Sequence, residues 1–148
     1  MILVSLSVVL VLGGPSGVLA SDLQLVDVKV THSHLKPVCL DGESAKPGER
    51  NWRLRPGLHS MLLTMRNDPR EGAESQQRIV PKTGPGFAAV SFTLEASHKY
   101  EIEVRASEMA FSTRVWERGD WKPVVRDRTA DRVVSSEANW DGSGGCKP

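Results

Sequence analysis

The chain has 148 residues, and its 19 Lys and Arg stand against 18 Asp and Glu for a net charge of +1. That is the length of one domain, and so balanced a charge excludes a protein whose affinity comes from neutralising many phosphates, as nucleic-acid binding requires. With 39% hydrophobic residues and 25% charged, the composition also excludes a multidomain enzyme, a coiled coil and a wholly disordered chain.

The first segment, Met1–Leu12 (MILVSLSVVLVL), is almost entirely apolar; Gly13, Gly14 and Pro15 then break the run. Val18-Leu19-Ala20 places small or apolar residues at the −3 and −1 positions of a signal-peptidase site. An apolar run of about 12 residues matches a signal-peptide core and falls short of the ~20 that cross a bilayer. The expectation is a signal peptide over 1–20, with 148 less 20 leaving 128 residues after cleavage and no transmembrane segment among them. No Lys or Arg precedes the apolar run, a departure from the usual signal pattern; a retained N-terminal anchor is the alternative. No cysteine stands at the cleavage site to carry a lipid.

Period-2 alternation then marks strands along the rest of the chain. Leu23–Val30 and Pro37–Leu40 come first, followed by a turn at Leu40-Asp41-Gly42-Glu43. Asn51–Leu54 and Leu58–Arg66 flank Pro56-Gly57, residues that suit the centre of a type II turn, and so read as a hairpin. Asn67–Gly86 is rich in Pro, Gly, Glu, Gln and Arg, with no strand signal beyond Ile79-Val80. Phe87–Leu94 and His98–Ala106 read as a second hairpin; in the latter Tyr100, Ile102 and Val104 oppose Lys99, Glu101, Glu103 and Arg105. Only a short turn at Ser107–Ala110 suggests helix. Strands are expected at Phe111–Glu117 and Trp121–Arg126, joined by a turn at Glu117–Asp120, with Pro123 confining the later one to an edge or a bulge. The expected fold is all-β, a single antiparallel β-sandwich of about seven or eight strands over 21–135, followed by a flexible tail over 136–148.

Export would place Cys39 and Cys146 in an oxidising compartment, where a disulfide persists. Closing so long a loop stabilises by about 4–5 kcal/mol in the chain-entropy picture; the alternative is a buried thiol at Cys39 and a free one at Cys146. Among the four histidines, His32 and His34 at i,i+2 would share one face of a strand and could hold a metal. A third ligand would come from His59, His98, Asp27 or Asp41; a polar loop with backbone-bonded histidines is the structural alternative. Trp52, Trp116, Trp121 and Trp140 suit either a core or an exposed sugar-stacking platform, with Trp140 the one in a polar setting. Arg118-Gly119-Asp120 spells an adhesion tripeptide but fits a tight turn between strands. No nucleophile elbow, phosphate loop or other catalytic pattern is present, so no catalytic residue and no cofactor is assigned.

The succession Leu54-Arg55-Pro56-Gly57-Leu58-His59, then Val90–Tyr100, then Trp121–Asp127 resembles a group of small exported bacterial proteins and lipoproteins with PEGA-like β-sandwich domains. Those proteins pair an L-x-P-G-x-H hairpin with an F-x-x-x-A-G-x-x-Y pattern; here Ser97 stands in place of the usual Gly, and the lipid-attachment cysteine is absent. The resemblance implies a β-sandwich and export, with no catalytic residues. The functional expectation is an exported cell-envelope protein, periplasmic or extracellular, that binds a partner such as an envelope protein or glycan, or serves a structural role. Its recognition surface would be the Asn67–Gly86 loop, because loops on a rigid sheet carry binding. A metal-binding protein using His32 and His34 and a glycan-binding module using exposed Trp are the alternatives.

Overall fold

A computed structural model describes residues 24–67, 83–141 and 144–146. The expected signal peptide, the Ile79-Val80 strand signal and residues 68–82 of the long loop lie outside the described residues. Within them the regular structure is β-strand apart from one short helix, arranged in two five-stranded sheets.

The first sheet is built around β1 (Val26–Val30), whose three valines are each 1% exposed while Asp27 and Lys29 face solvent. It pairs antiparallel with β4 (Asn51–Leu54) on one side and parallel with β7 (Lys99–Ala106) on the other. Beyond β7 come β8 (Trp121–Asp127) and the short β9 (Arg132–Val133). The second sheet runs β10 (Asn139–Asp141), β6 (Phe87–Leu94), β5 (Gly57–Met65), β2 (Leu35–Leu40) and β3 (Glu43–Ser44). Buried side chains of both sheets join in one cluster, with Val28, Ile102 and Val125 from the first and Leu35, Leu63 and Phe92 from the second. Each such side chain contributes about 1.5–3 kcal/mol on burial, whereas an exposed ion pair is worth about 0–1. The apolar cluster, not the charged surface, therefore holds the two sheets.

Both expected hairpins turn out to be connections between sheets. Leu54 pairs with Val26 in the first sheet, while Gly57 pairs with Leu94 in the second, so Arg55-Pro56 carries the chain from one to the other. Likewise Leu94 belongs to the second sheet and Lys99 to the first, with Ser97 at φ 67° in the bend between them. A corner and a hairpin need the same turn residues and the same alternation; only the distant partner distinguishes them. True hairpins occur at Asp41-Gly42, where both residues have positive φ, and between β8 and β9.

The strand expected at Phe111–Glu117 is not formed. Glu108–Thr113 is a short helix, α1, because Ser107 caps it by accepting the Ala110 N–H at 3.2 Å and Arg114 ends it at φ 57°. Val115 and Trp116 are then buried in succession, which a half-exposed strand does not allow.

The two prolines within strands sit where no ladder bond is lost. Pro37 lies at the β-bulge between Pro37 and Cys39. Val125 accepts the Val134 N–H and gives its own to Ser135 Oγ, so its polar groups point away from β7. Pro123, two residues earlier, faces the same way, and β9 pairs with β8 only at Arg126 and Asp127.

Asn139–Asp141, inside the segment read as a tail, pairs with Phe87–Ala89 of β6. Trp140 packs edge-on against Trp121, ring centroids 5.1 Å apart. Beyond it, a disulfide joins Cys146 to Cys39 on β2, with Cα atoms 5.5 Å apart. The C-terminal segment thus starts at β6 and ends at β2, on either side of β5.

Candidate functional site

His32 and His34 do not share a strand face. β1 ends at Val30, and the Leu35 N–H donates to the His32 carbonyl at 3.1 Å, so His32-Ser33-His34 forms the tight turn into β2. Arg50 fixes this turn, its guanidinium donating to the carbonyls of Val30, His32, Ser33 and Leu35. His32 Nδ1 accepts the His34 backbone N–H at 3.3 Å. His34 is 6% exposed, and its Nδ1 donates to the Arg66 carbonyl at 2.9 Å; Trp116 Nε1 makes the longer approach of 3.4 Å to the same nitrogen.

The rings of His32, Phe111 and Trp116 pack with centroids 5.4–5.6 Å apart, and His34 closes the group. Burial, then the neighbouring His34 and Arg50, push the His32 imidazole below its usual pKa. Such surroundings disfavour the charged ring. Among the described residues, no three His, Cys, Asp or Glu side chains converge to hold a metal ion. The candidate third ligands are dispersed: Asp27 pairs with Arg53, and Asp41 with His59.

The other two histidines form pins between segments. His59 Nδ1 lies 2.7 Å from Asp41 Oδ2, while its Nε2 donates to the Arg55 carbonyl at 2.8 Å. Asp41 Oδ1 in turn accepts the Ser60 N–H, tying the β2–β3 turn to β5. His98 Nδ1 lies 2.7 Å from Oδ2 of Asp127, a fully buried carboxyl whose Oδ1 accepts the N–H groups of Thr129 and Ala130. Burial alone would raise the Asp127 pKa. The Ala130 N–H, His98 and the Thr129 N–H outweigh burial and hold it below the usual carboxylate value.

Three tryptophans are interior: Trp52, Trp116 and Trp121. Trp140 is half-buried and stands at 86° to Trp121. Two exposed, coplanar indoles, which a sugar-stacking platform needs, are therefore not found. Arg118-Gly119-Asp120 forms an exposed turn with Gly119 at φ 91°, and its arginine is engaged with the Trp140 carbonyl at 3.4 Å.

A groove of about 690 Å³ opens between the outer face of the second sheet and the segment Ala45–Arg50. Lys36 of β2, Thr64 of β5 and Phe87 of β6 alternate with core positions and, with Val38 at the β-bulge, form its floor. Lys46, Glu49 and Arg50 stand along one wall, and Arg66 lies at the end of β5. Glu49 accepts the backbone N–H of Lys46 at 3.2 Å, which fixes the loop on itself. Sequence reading does not single out these residues: they come from four separate segments, and each is an ordinary charged, polar or apolar strand or loop residue where it stands. Of the long loop expected to carry recognition, only Asn67 and Thr83–Gly86 are described; Asn67 holds the Trp116 backbone through bonds of 2.6 and 3.3 Å.

No protein-family model, curated protein or solved structure matches the chain.

Proposed function

We propose that the chain is an exported β-sandwich of the cell envelope that works by binding, with the groove between β2 and Ala45–Arg50 as its ligand site. The groove is the observation that carries this reading. It is concave, rests on two hydrogen-bonded strands, and combines apolar floor residues with several charged ones, the usual composition of a ligand site. Its rim is rigid: Arg50 locks one end through four carbonyls, and the Ala45 N–H bonds to Val38 at 2.9 Å at the other. The single buried cluster shared by both sheets supports a two-layer sandwich, as does the resemblance to PEGA-like domains. Export is supported by the apolar N-terminal run and by the Cys39–Cys146 disulfide. Among the described residues, no helix is long and apolar enough to cross a membrane.

Cell fractionation followed by intact-mass measurement tests the location. The expected product lies outside the cytoplasm, lacks its first 20 residues and has both thiols blocked; full-length protein with free thiols in the cytoplasm would overturn it. For the binding reading, immobilised protein is expected to retain an envelope component that a folded Val38→Trp variant, its groove filled, does not. Equal retention by both would overturn the groove as the site.

A further inference from the structure

We infer that the groove takes a ligand carrying two or more closely spaced oxyanions, carboxylates or phosphates, beside an apolar body. This rests on the reading of the groove as a ligand site and adds the chemistry of what fills it. Four cationic side chains line the groove, Lys36, Lys46, Arg50 and Arg66, against the single carboxylate of Glu49.

Elsewhere among the described residues Arg53, Lys122, Arg126, Arg128 and Arg132 pair with carboxylates, while cations such as Lys29, Arg55 and Arg105 do not; the groove differs in gathering four such cations around one concavity. On the first sheet Arg126 meets Glu103 at 3.4 Å, Arg128 meets Glu101 at 3.4 Å, and Arg132 meets Glu95 at 2.6 Å. Among the described residues, none of the four groove cations has a carboxylate partner, in a chain whose overall charge is only +1. Glu49 does not offset them by direct pairing, because its carboxylate is directed at its own loop.

Arg50 is held in place by neutral carbonyls, so its full positive charge is fixed and uncompensated at the rim. A concave site lined by one sign of charge concentrates counter-ions. Arg66 adds a planar donor pair that matches carboxylate and phosphate geometry, while Arg50, whose terminal nitrogens are engaged with carbonyls, contributes its charge. Val38 on the floor and Pro47 on the wall give the ligand's apolar part a surface.

The β-sheet edge beside the groove argues against an added peptide strand. Pro37 has no N–H to donate, Arg50 occupies the Leu35 carbonyl at 3.2 Å, and the Leu35 N–H is spent on His32. Recognition through side-chain charge is what remains open.

The test is a titration of the purified, disulfide-bonded full chain with citrate and with tripolyphosphate, followed by amide chemical shifts and calorimetry. Saturable shifts are expected at Lys36, Lys46, Gly48, Arg50 and Arg66, with affinity falling as salt is raised. The double variant Lys46→Gln/Arg66→Gln is expected to weaken binding by about tenfold or more, the loss that removing charge-assisted hydrogen bonds produces. The control Lys29→Gln, on the first sheet, is expected to leave binding unchanged. Whichever of the two probes binds more tightly names the anion class. Shifts scattered over all surface cations, or equal affinity of the double variant and the native chain, would overturn the inference. If neither probe binds but Val38→Trp still abolishes retention of an envelope component, the anion chemistry fails and the groove reading stands.

Discussion

Gly144 lies directly on the ring of Phe87: a Cβ at position 144 would stand 2.5 Å from Phe87 Cζ, and the backbone there has φ 60°. Both facts require glycine. Phe87, at the start of β6, points outward from the second sheet, and the C-terminal segment crosses over it before Cys146 reaches Cys39. Leu62, paired with both Cys39 and Ala89, is buried yet stands apart from the main apolar cluster, as expected of a residue on the outer face beneath this strap. Gly144→Ala is therefore expected to cost about 1–3 kcal/mol, from the unfavourable φ and the displaced ring. Urea denaturation measures it. In a Cys39→Ser/Cys146→Ser background, where the strap is no longer held, the same substitution is expected to cost much less. An equal cost in both backgrounds would show that the strap packs independently of its tether.

The disulfide itself spans 107 positions. A loop that long restricts the unfolded chain strongly, so Cys39→Ser/Cys146→Ser is expected to lose about 4–5 kcal/mol. The thermal midpoint should fall by about 10–20 °C. Because β10 and the disulfide are the strap's two attachments, the near-ultraviolet signal of the Trp121–Trp140 pair is expected to weaken as well. A loss below about 1 kcal/mol would mean that the unfolded chain retains enough structure to make the link redundant.

Much of this architecture could be read from the amino-acid order, and the rest could not for identifiable reasons. The alternation of Tyr100 and Ile102 against Glu101 and Glu103 marks a strand with one wet face, and β7 is such a strand. What alternation cannot state is the partner: Leu54 finds Val26 and Gly57 finds Leu94, choices made by the burial of whole faces. Phe111–Glu117 alternates well enough for a strand, yet the Ser107 cap and the aromatic contacts of Phe111 and Trp116 favour a helical turn. The cysteines were visible as a candidate pair because only two exist. The groove was not visible, since Lys36, Lys46 and Arg66 become neighbours only when β2 pairs with β5 and the Ala45–Arg50 segment folds beside them.

Asp127 governs the acid side of the stability profile. Its carboxyl is fully buried, accepts two backbone N–H groups and faces His98, and its pKa is held below the usual value. With the folded value lower than the unfolded one, the stabilisation is fully present above about pH 4 and is lost as pH falls through the folded value. Asp127→Ala removes three hydrogen bonds and leaves the turn N–H groups of Thr129 and Ala130 without their acceptor, at an expected cost of about 2–4 kcal/mol at neutral pH. Asp127→Asn keeps an acceptor for Thr129 and Ala130 and should cost less, while flattening the profile below about pH 4. Urea midpoints measured across that range decide the matter. A native chain and an Asp127→Asn variant with parallel profiles would sink the assignment.

His32 acts in the opposite region of pH, near neutrality. Its ring is packed among Phe111, Trp116 and His34 with the Arg50 guanidinium nearby, and its pKa lies below the ordinary imidazole value of about 6.5. Between the folded and unfolded values, the unfolded chain holds a proton that the native chain refuses. Stability contributed by the neutral ring is therefore complete above about pH 6.5 and is lost as pH falls towards the folded value. Protonation also removes the Nδ1 lone pair that accepts the His34 N–H, loosening the turn into β2. His32→Gln, which cannot be charged, is expected to lose less stability than the native chain between pH 7.5 and pH 5. Comparing the two as a difference isolates the substituted ring. Equal losses would place the titrating group elsewhere.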